Sequence, residues 1–303
     1  MNLKHSLKQQ LLAILTSILP SFHNKSIKNI GISSVVCHDR LDMFIASAGS
    51  LMFHLGQSLP IYVIDDGTLS TRDKHRLQHI FTAIIDTIPE RERKIKKIFA
   101  KFPSVARYRL DPLNPVTKMK LDGHLLTPFY KTIYIDLDVL FLQVPRIIKE
   151  WIASPTTNYY CVHPRNIVGA QNRSDEDYSF RRLLNDTKFP LASSSFNTGI
   201  VCISNKSTIN LHLLDKAFAY FNKIGYSRSF MAEETGMAIA LNNKYFQTLP
   251  TNKYTCVARD SEYKKIDPNT TQAIHFIGET ESRYLRHAIL QLIRTWGYRI
   301  HPK

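Results

Sequence analysis

The sequence predicts an α/β protein with a doubly wound, mostly parallel sheet flanked by helices. Two observations support this fold class. Short apolar runs rich in Ile, Val and Tyr alternate with segments of helical period along most of the 303 residues. Acidic residues also follow two of these runs directly, as at Asp65 and Asp136. Because parallel strands end at one edge of such a sheet, a ligand is expected at that edge.

The first half of the chain contains three strand–helix repeats. Strands are predicted where β-branched and aromatic residues cluster, and helices where apolar residues recur every three or four positions. Ser70 is the expected N-cap of the second helix. The predicted elements, in order, are a strand at 30–37, a helix at 43–55, a strand at 60–64, a helix at 70–79, a strand at 83–88 and a charged helix at 90–101.

The second half continues the alternation and adds an irregular segment. The predicted elements are a helix at 116–126, a strand at 131–142, a helix at 144–151, strands at 159–162 and 195–203, helices at 207–224 and 231–241, a strand at 245–249, an apolar run at 273–278 and a closing helix at 284–296. Residues 163–190 have no clear period. Such a segment is typical of a lid or acceptor loop, and also of a disordered surface excursion.

The charge balance predicts an anionic partner. The net charge is +15, from 40 basic and 25 acidic residues. Nucleic acid, an anionic membrane face or a phosphorylated substrate would each fit this balance. The sequence contains no recognisable RNA- or DNA-binding motif, so a nucleic-acid partner is not expected.

Cysteine usage favours a reducing compartment. The four cysteines form no C-x-x-C pair, and three of them lie in strand-like apolar runs. They are predicted to be reduced core residues, and a structural zinc site is not expected. The cysteines are Cys37, Cys161, Cys202 and Cys256.

Both ends of the chain are predicted to be amphipathic and basic. Residues 1–24 contain a helix with an apolar stripe, residues 25–280 form the central domain, and residues 281–303 form a basic helix. The amino-terminal apolar run is shorter than the roughly 20 residues that span a bilayer, and no clear cleavage site follows it. The helices are expected either to pack on the central domain or to attach the protein to an anionic membrane face. A cytoplasmic location, peripheral on the inner face of a membrane, follows, with a signal peptide as the alternative for the first helix.

A buried strand ending in two acids is the central motif. The run 131–142 reads Lys-Thr-Ile-Tyr-Ile-Asp-Leu-Asp-Val-Leu-Phe-Leu, with Asp136 and Asp138 separated by one residue. Carboxylates in a low-dielectric setting are costly unless their charge is compensated. Mg²⁺ or Mn²⁺ would compensate it and leave positions for phosphate. The alternative is that the two acids cap a following turn.

The order of motifs resembles a known enzyme family. Asp-x-Asp is followed by Phe-Asn-x-Gly at 196–199, an acid-headed helix and an apolar His-x-x-Gly at 275–278. This order resembles the GT-A fold glycosyltransferases, and most of all the retaining group that includes glycogenin and the bacterial lipopolysaccharide galactosyltransferases. The resemblance covers residues 30–278 and is specific around 121–142 and 196–199. It implies transfer of a hexose from a nucleotide-diphosphate sugar, with UDP-glucose or UDP-galactose expected.

The resemblance implies a metal site and a cation beside it. Asp136, Asp138 and His275 would bind Mn²⁺, or Mg²⁺, which bridges the diphosphate of the nucleotide-sugar. Lys120 would contact the diphosphate or the donor sugar, with Lys118 as the alternative. The acceptor, whether glycan, lipid-linked or protein, is not implied by these motifs.

The resemblance also implies residues around the sugar and the nucleotide. Asn197 and Gly199 would lie beside the donor sugar. Glu234 would contact sugar hydroxyls near the anomeric carbon, with Glu233 as the alternative. The positions implied around the nucleotide are Val36, Cys37, His38, Asp65 or Asp66, Leu137, Gly278 and Arg283.

Three departures from the family pattern leave alternatives open. The Lys-Pro-Trp that follows His-x-x-Gly in the family is absent, and Arg283 is the expected replacement for its lysine. The first strand lacks the aromatic residue that stacks on uracil. The sequence at 65–68 is Asp-Asp-Gly-Thr, which resembles an inverting GT-A family. An inverting transferase and a catalytically degenerate binding domain are therefore alternatives.

Two other enzyme classes fit less well. A phosphatase of the haloacid dehalogenase type would have its nucleophile at the position of Ile64, which cannot attack phosphate. Near Asp136, Val139 and Leu140 stand where that class has Gly-Thr. A nucleotidyltransferase would need a glycine-rich basic loop after the first strand, and residues 38–42 do not provide one.

Overall fold

The computed structural model describes residues 3–17, 21–22, 29–113, 115–155, 160–163, 197–204, 208–229, 231–241, 246–258, 260–277 and 280–300. Its strands are β1 (Ile30–Val36), β2 (Ile61–Asp65), β3 (Ala83–Ile85), β4 (Lys131–Ile135), β5 (Val139–Phe141), β6 (Tyr160–His163), β7 (Asn197–Ile203), β8 (Phe246–Thr248), β9 (Tyr254–Val257) and β10 (Ala273–Phe276). Its α-helices are α1 (Leu3–Ser17), α2 (Leu41–Leu55), α3 (Thr71–Ile80), α4 (Ile88–Phe99), α5 (Pro103–Leu110), α6 (Pro115–Leu125), α7 (Arg146–Ala153), α8 (Leu211–Lys223), α9 (Ala232–Ala240), α10 (Asp260–Tyr263) and α11 (Glu281–Ile300). The irregular segment expected at 163–190 lies, beyond His163, outside the described residues.

Two sheets organise the described part of the chain. The larger has seven strands in the order β3-β2-β1-β4-β7-β6-β8. Neighbouring strands are parallel except where β7 runs antiparallel between β4 and β6. The smaller sheet has three strands in the order β5-β10-β9, with β10 antiparallel to β5. The predicted mixed α/β fold with a mostly parallel sheet is confirmed.

Some element boundaries differ from the prediction. The run 131–142 is two strands, β4 and β5, which belong to different sheets because residues 136–138 form a turn between them. The strand expected at 83–88 ends at Ile85, since Thr87 already caps α4 by accepting from the N–H of Glu90. The elements α5, β9 and α10 were not predicted, because they are short and lack a clear apolar period.

The strands β1, β2 and β4 of the larger sheet are buried on both faces. Consecutive residues of β2 alternate between two apolar clusters, with Ile61 and Val63 in one and Tyr62 and Ile64 in the other. A strand covered on both faces has a near-continuous apolar sequence. This is why β1, β2 and β4 are recognisable from sequence.

A buried ion cluster fixes α6 against its neighbours. Arg109 on α5 donates to both carboxylate oxygens of Asp122 on α6, at 2.8 and 2.6 Å. Arg91 on α4 lies 3.5 Å from the same carboxylate and donates to the backbone carbonyl of Asp65 at the end of β2. These contacts tie α6, which carries Lys120, to the carboxyl edge of the sheet.

Helix α1 packs through one face and exposes the other. Leu12 and Thr16 are buried, and Thr16 and Arg76 both donate to the Asp42 carboxylate, at 2.5 and 2.6 Å. An apolar stripe lies on the opposite face, and its members are 59%, 42% and 59% exposed: Leu7, Leu11 and Ile14. Among the helices of the described ranges, none has the length and apolarity needed to cross a bilayer.

Candidate functional site

The turn at residues 136–138 lies where the two sheets meet. The backbone N–H of Asp136 donates to the carbonyl of Gly199 in β7 at 2.9 Å. The N–H of Phe276 in β10 donates to the carbonyl of Asp138, also at 2.9 Å. Because one bond goes to each sheet, the turn is held at both ends and its two carboxylates have a fixed separation.

His275 in β10 brings an imidazole to the two carboxylates. Its Nε2 atom lies 3.0 Å from Asp138 Oδ1 and 3.6 Å from Asp136 Oδ2. One ligand atom from each of the three residues falls within 4.8 Å of the others. The side chain of His275 is buried, and those of the two acids are only partly exposed. The three positions predicted as metal ligands therefore converge in space.

The donor set fits a divalent cation. Two carboxylates and one imidazole suit Mn²⁺ or Mg²⁺ better than a soft metal, which prefers thiolates. His275 Nδ1 lies 3.1 Å from Asn197 Oδ1, an acceptor, so the ring donates there and its Nε2 atom faces the acids. In that position Nε2 carries either a proton or a metal ion between itself and the two carboxylates. We therefore take these three residues as the candidate metal ligands.

Electrostatic attraction between these side chains shifts the pKa values of His275 and Asp138. Burial disfavours the charged form of His275, but the neighbouring Asp138 carboxylate outweighs it and raises the pKa of His275 well above its usual value. Burial likewise opposes ionisation of Asp138, yet His275 and Lys120 lower the pKa of that carboxyl below its usual range. A proton on the imidazole thus supplies positive charge where a metal would supply more, so metal binding is expected to release it.

Lys120 contacts this cluster and Lys118 does not. The Lys120 ammonium on α6 lies 2.6 Å from Asp136 Oδ2 and 3.4 Å from Thr198 Oγ1. The Lys118 ammonium instead donates to the carbonyl of Asp111 and lies 3.2 Å from its carboxylate. Of the two predicted cations, the structure places only Lys120 beside the acids.

Of the two acids on α9, Glu234 contacts Asn197 in the candidate site, whereas Glu233 is buried. Asn197 at the start of β7 donates to Glu234 Oε2 at 3.2 Å. Glu233 Oε2 accepts from the Thr198 hydroxyl at 3.0 Å, and its other oxygen lies 3.9 Å from the ring of His124. Asn197 also lies beside His275, so Glu234 is the acid of this pair that is linked to the candidate metal ligands.

Glu233 and His124 form a buried pair that was not predicted as a site. Among the described residues, Glu233 Oε1 and both ring nitrogens of His124 have no hydrogen-bond partner. Burial raises the pKa of Glu233 to about 8. Burial, together with the positive charge of Lys120, lowers the pKa of His124 to about 3. Near neutral pH both side chains are therefore uncharged.

At the end of β2, Asp66 rather than Asp65 faces outward. The Asp65 carboxylate is buried, accepts from the N–H groups of Gly67 and Leu69 at 2.8 and 3.3 Å, and pairs with Lys74 at 2.7 Å. It stabilises the turn. Asp66 is only half-buried and is therefore the more accessible acid of the two.

The end of β1 presents a histidine. Val36 is fully buried in the core, while His38 is exposed, with its Nδ1 atom 2.8 Å from Asp73 Oδ2. Hydrogen bonding to this carboxylate raises the pKa of His38. Burial raises the pKa of the Cys37 thiol. Leu137 is half-buried within the turn between the two candidate metal ligands.

Arg40 was not predicted as a site residue, because, apart from His38, residues 38–42 were considered only as a segment that lacks a glycine-rich basic loop. It lies in the 3-10 turn that follows β1, and its charge contributes to the low pKa of Asp138. The signal available in the sequence was a basic residue in the turn after β1, the strand that pairs with β4. Arg283, the predicted phosphate contact, lies over the ring of Tyr263, with its Cζ atom 5.5 Å from the ring centroid. Gly278 lies outside the described residues.

No protein-family model and no curated protein sequence matches the chain. Solved structures do match its fold. The galactosyltransferase LgtC, in complex with donor and acceptor sugar analogs, aligns with a TM-score of 0.55 at 12% identity over 86% of this chain and 95% of LgtC. Mouse xyloside xylosyltransferase 1 aligns with a TM-score of 0.52 at 10% identity, over 84% and 99% of the two chains. The glycosyltransferase GlyE of Streptococcus pneumoniae aligns with a TM-score of 0.53 at 11% identity, over 91% and 64%. The fold is therefore the GT-A fold of glycosyltransferases.

Gly199→Ala should weaken metal binding by displacing His275. A Cβ atom at this position would lie 2.3 Å from His275 Nδ1 and 2.8 Å from Asn197 Oδ1, so the imidazole must move. Loss of a ligand's orientation typically costs about 10- to 100-fold in metal affinity. Calorimetric titration with Mn²⁺ measures this change. Gly225→Ala is the control, because its left-handed φ of 77° makes alanine costly for folding while no atom lies within 4 Å. Equal affinity in Gly199→Ala and wild type would contradict the geometry.

Glu233→Gln should remove a pH dependence of stability. The folded-state pKa of about 8 lies above the reference value of 4.5, so the folded protein holds a proton that the unfolded chain releases between these values. Stability contributed by this group is therefore lost as pH rises from about 4.5 to about 8 and is constant above that. Urea unfolding across this range should show a flatter profile for the variant than for wild type. The exposed Glu150→Gln is the control, and parallel profiles for wild type and Glu233→Gln would refute the assignment.

Proposed function

We propose that this protein is a metal-dependent glycosyltransferase, which moves a hexose from a nucleotide-diphosphate sugar to an acceptor hydroxyl. The observation that carries the proposal is the convergence of Asp136, Asp138 and His275 at the junction of two sheets in a GT-A fold. Mn²⁺ is the proposed ion, with Mg²⁺ as the alternative. Glycan, lipid-linked and protein acceptors all suit the proposal.

We propose that positive charge at the site stabilises the leaving group. Asp136, Asp138 and His275 would hold a divalent ion, whose charge would stabilise a departing nucleoside diphosphate. Lys120 is proposed to contact the same diphosphate or the donor sugar, and its position 2.6 Å from Asp136 Oδ2 supports this role. Arg40 is the further cation that we assign to the diphosphate, in place of the lysine that this chain lacks after His-x-x-Gly. Arg283 is less suited to that role, because its guanidinium lies over the ring of Tyr263.

The sugar side of the site is assigned to Asn197 and Glu234. Their side chains are hydrogen-bonded to each other at 3.2 Å and adjoin the metal cluster. A carboxylate there would hold sugar hydroxyls and stabilise an oxocarbenium-like transition state. We propose retention of configuration at the anomeric carbon, with inversion as the alternative, and proton NMR of the product distinguishes the two.

The donor is proposed to be UDP-glucose or UDP-galactose. Galactosyl transfer is in the name of one similar structure and xylosyl transfer in that of another, so UDP-xylose belongs in the same test. His38 and Asp66 are the polar groups proposed to meet the base or ribose, since the first strand has no aromatic residue for stacking. GDP-sugars are included because uridine specificity depends partly on that missing residue.

Nucleotide release from one donor should require the metal and Asp138. The experiment measures hydrolysis of a panel of UDP- and GDP-sugars with and without Mn²⁺. Asp138→Asn should lose at least about 100-fold in rate, since even changes around a metal ligand cost up to that amount. The control is the exposed Asp267→Asn, which keeps an Oδ1 acceptor for the N–H of Asn269 and should behave as wild type. If no donor is bound or cleaved with any metal, the proposal fails, and the alternative of a degenerate GT-A domain that acts as a binding protein takes its place.

We also propose that α1 attaches the protein to an anionic membrane surface. The supporting observation is the exposed stripe of Leu7, Leu11 and Ile14, opposite the face that packs on the domain. An amphipathic helix inserts such a stripe at the headgroup boundary. The net charge of +15 adds electrostatic attraction to anionic lipid.

Sedimentation with liposomes tests the attachment. The protein should sediment with anionic liposomes at low salt and be released at high salt, because screening weakens the electrostatic part. Replacing Leu7, Leu11 and Ile14 together by Asp should abolish sedimentation. The control is Leu113→Asp, which changes a residue that is 50% exposed outside α1. Absence of wild-type sedimentation at low salt would refute the attachment.

A further inference from the structure

Asn197 makes contacts on three sides. Its Oδ1 atom accepts from the N–H of Gly199 at 2.7 Å and lies 3.1 Å from His275 Nδ1. Its Nδ2 group donates to Glu234 Oε2 at 3.2 Å. These contacts link β7 of the large sheet, β10 of the small sheet and helix α9. One side chain therefore touches the candidate metal ligand and the acid assigned to the sugar.

The contacts permit only one orientation of the amide. With Oδ1 toward Gly199 and His275, two donors meet an acceptor, and Nδ2 meets the Glu234 carboxylate. A flipped amide would put NH₂ against the Gly199 N–H and an oxygen against a carboxylate. Both contacts would be repulsive. The orientation is thus determined without His275, by the Gly199 N–H, which can only donate, and by the Glu234 carboxylate, which accepts.

The fixed amide in turn determines the tautomer of His275. An oxygen at 3.1 Å from Nδ1 favours a proton on that nitrogen, so Nε2, which faces Asp136 and Asp138, is the nitrogen that gives up its proton when a metal binds. The Cys256 sulfur, 3.8 Å from Nδ1, is a weaker and more distant partner. Only the Nδ1–H tautomer allows Nε2 to coordinate a metal.

We propose that Asn197 is a positioning residue, which holds His275 in the metal-binding tautomer and Glu234 in place beside it. The inference rests on the proposed function, because it assumes that the acids and His275 bind a divalent ion. Gly199 is part of the arrangement. A Cβ atom there would occupy the space of the His275 ring, so the absence of a side chain lets the ring reach the amide.

Metal binding without donor separates this role from catalysis. Asn197→Ala removes the acceptor and should weaken Mn²⁺ binding about 10- to 100-fold. Asn197→Asp keeps an acceptor for Nδ1 but places a carboxylate oxygen against Glu234, which repels it. The contact with Glu234 should therefore be lost, while the Mn²⁺ affinity should not fall by more than a few-fold from wild type. Asn210→Ala is the matched control. Asn210 caps α8 by accepting from the N–H of Leu213, so its loss affects stability and leaves metal affinity unchanged.

A second readout reports the tautomer directly. Long-range nitrogen–proton NMR of the Mg²⁺-loaded protein should show His275 protonated at Nδ1 in wild type and in Asn197→Asp. Mn²⁺ affinity in Asn197→Ala equal to wild type would overturn the inference, as would equal losses in Asn197→Ala and Asn197→Asp. If wild type binds no Mn²⁺, the proposed metal site fails and the inference fails with it. Absence of glycosyl transfer with intact Mn²⁺ binding in wild type would count against the proposed function alone.

Discussion

Negative charge concentrated where two sheets meet is the constraint on which the site depends. Asp136 and Asp138 are separated by one residue in a tight turn. Glu234 lies near them, because it is hydrogen-bonded to Asn197, which also contacts His275. Carboxylates in a poorly solvated edge are stable only beside positive charge. The described chain supplies part of that charge through Lys120 and His275. A divalent ion and its anionic ligand would complete the balance, which makes the site suited to a diphosphate.

Rigid elements behind the site hold these charges in place. Lys120 projects from α6, and α6 is fixed by the bidentate pair between Asp122 and Arg109. Arg91 extends the same buried cluster to the carbonyl of Asp65, where β2 ends. The metal side and the nucleotide side of the candidate site are thus joined through one set of buried ion pairs. Removing one partner of such a set leaves an uncompensated charge, which commonly costs about 3–5 kcal/mol.

The part of the site proposed to bind the nucleotide is where the sequence departs from the family it resembles. Arg283 stacks over Tyr263, whereas Arg40 projects from the turn between β1 and α2, close enough for its charge to affect Asp138. The groups proposed to meet the base or ribose, His38 and Asp66, are both capable of hydrogen bonding, and β1 has no aromatic residue that could stack on a base. Base recognition at this edge is therefore expected to depend on hydrogen bonding more than on stacking.

The sequence by itself determined the fold class and the ligand types. Strands buried on both faces have continuous apolar runs, and acids placed directly after such a run are visible without coordinates. Only the tertiary structure decided between candidate residues that lie close together in the sequence, because the contacts that distinguish them come from residues far away in the sequence. It divided 131–142 between two sheets, placed Lys120 rather than Lys118 at the acids, and turned Glu233 inward. The bond between Asn197 and His275 likewise joins residues 78 positions apart, so no local pattern could predict it.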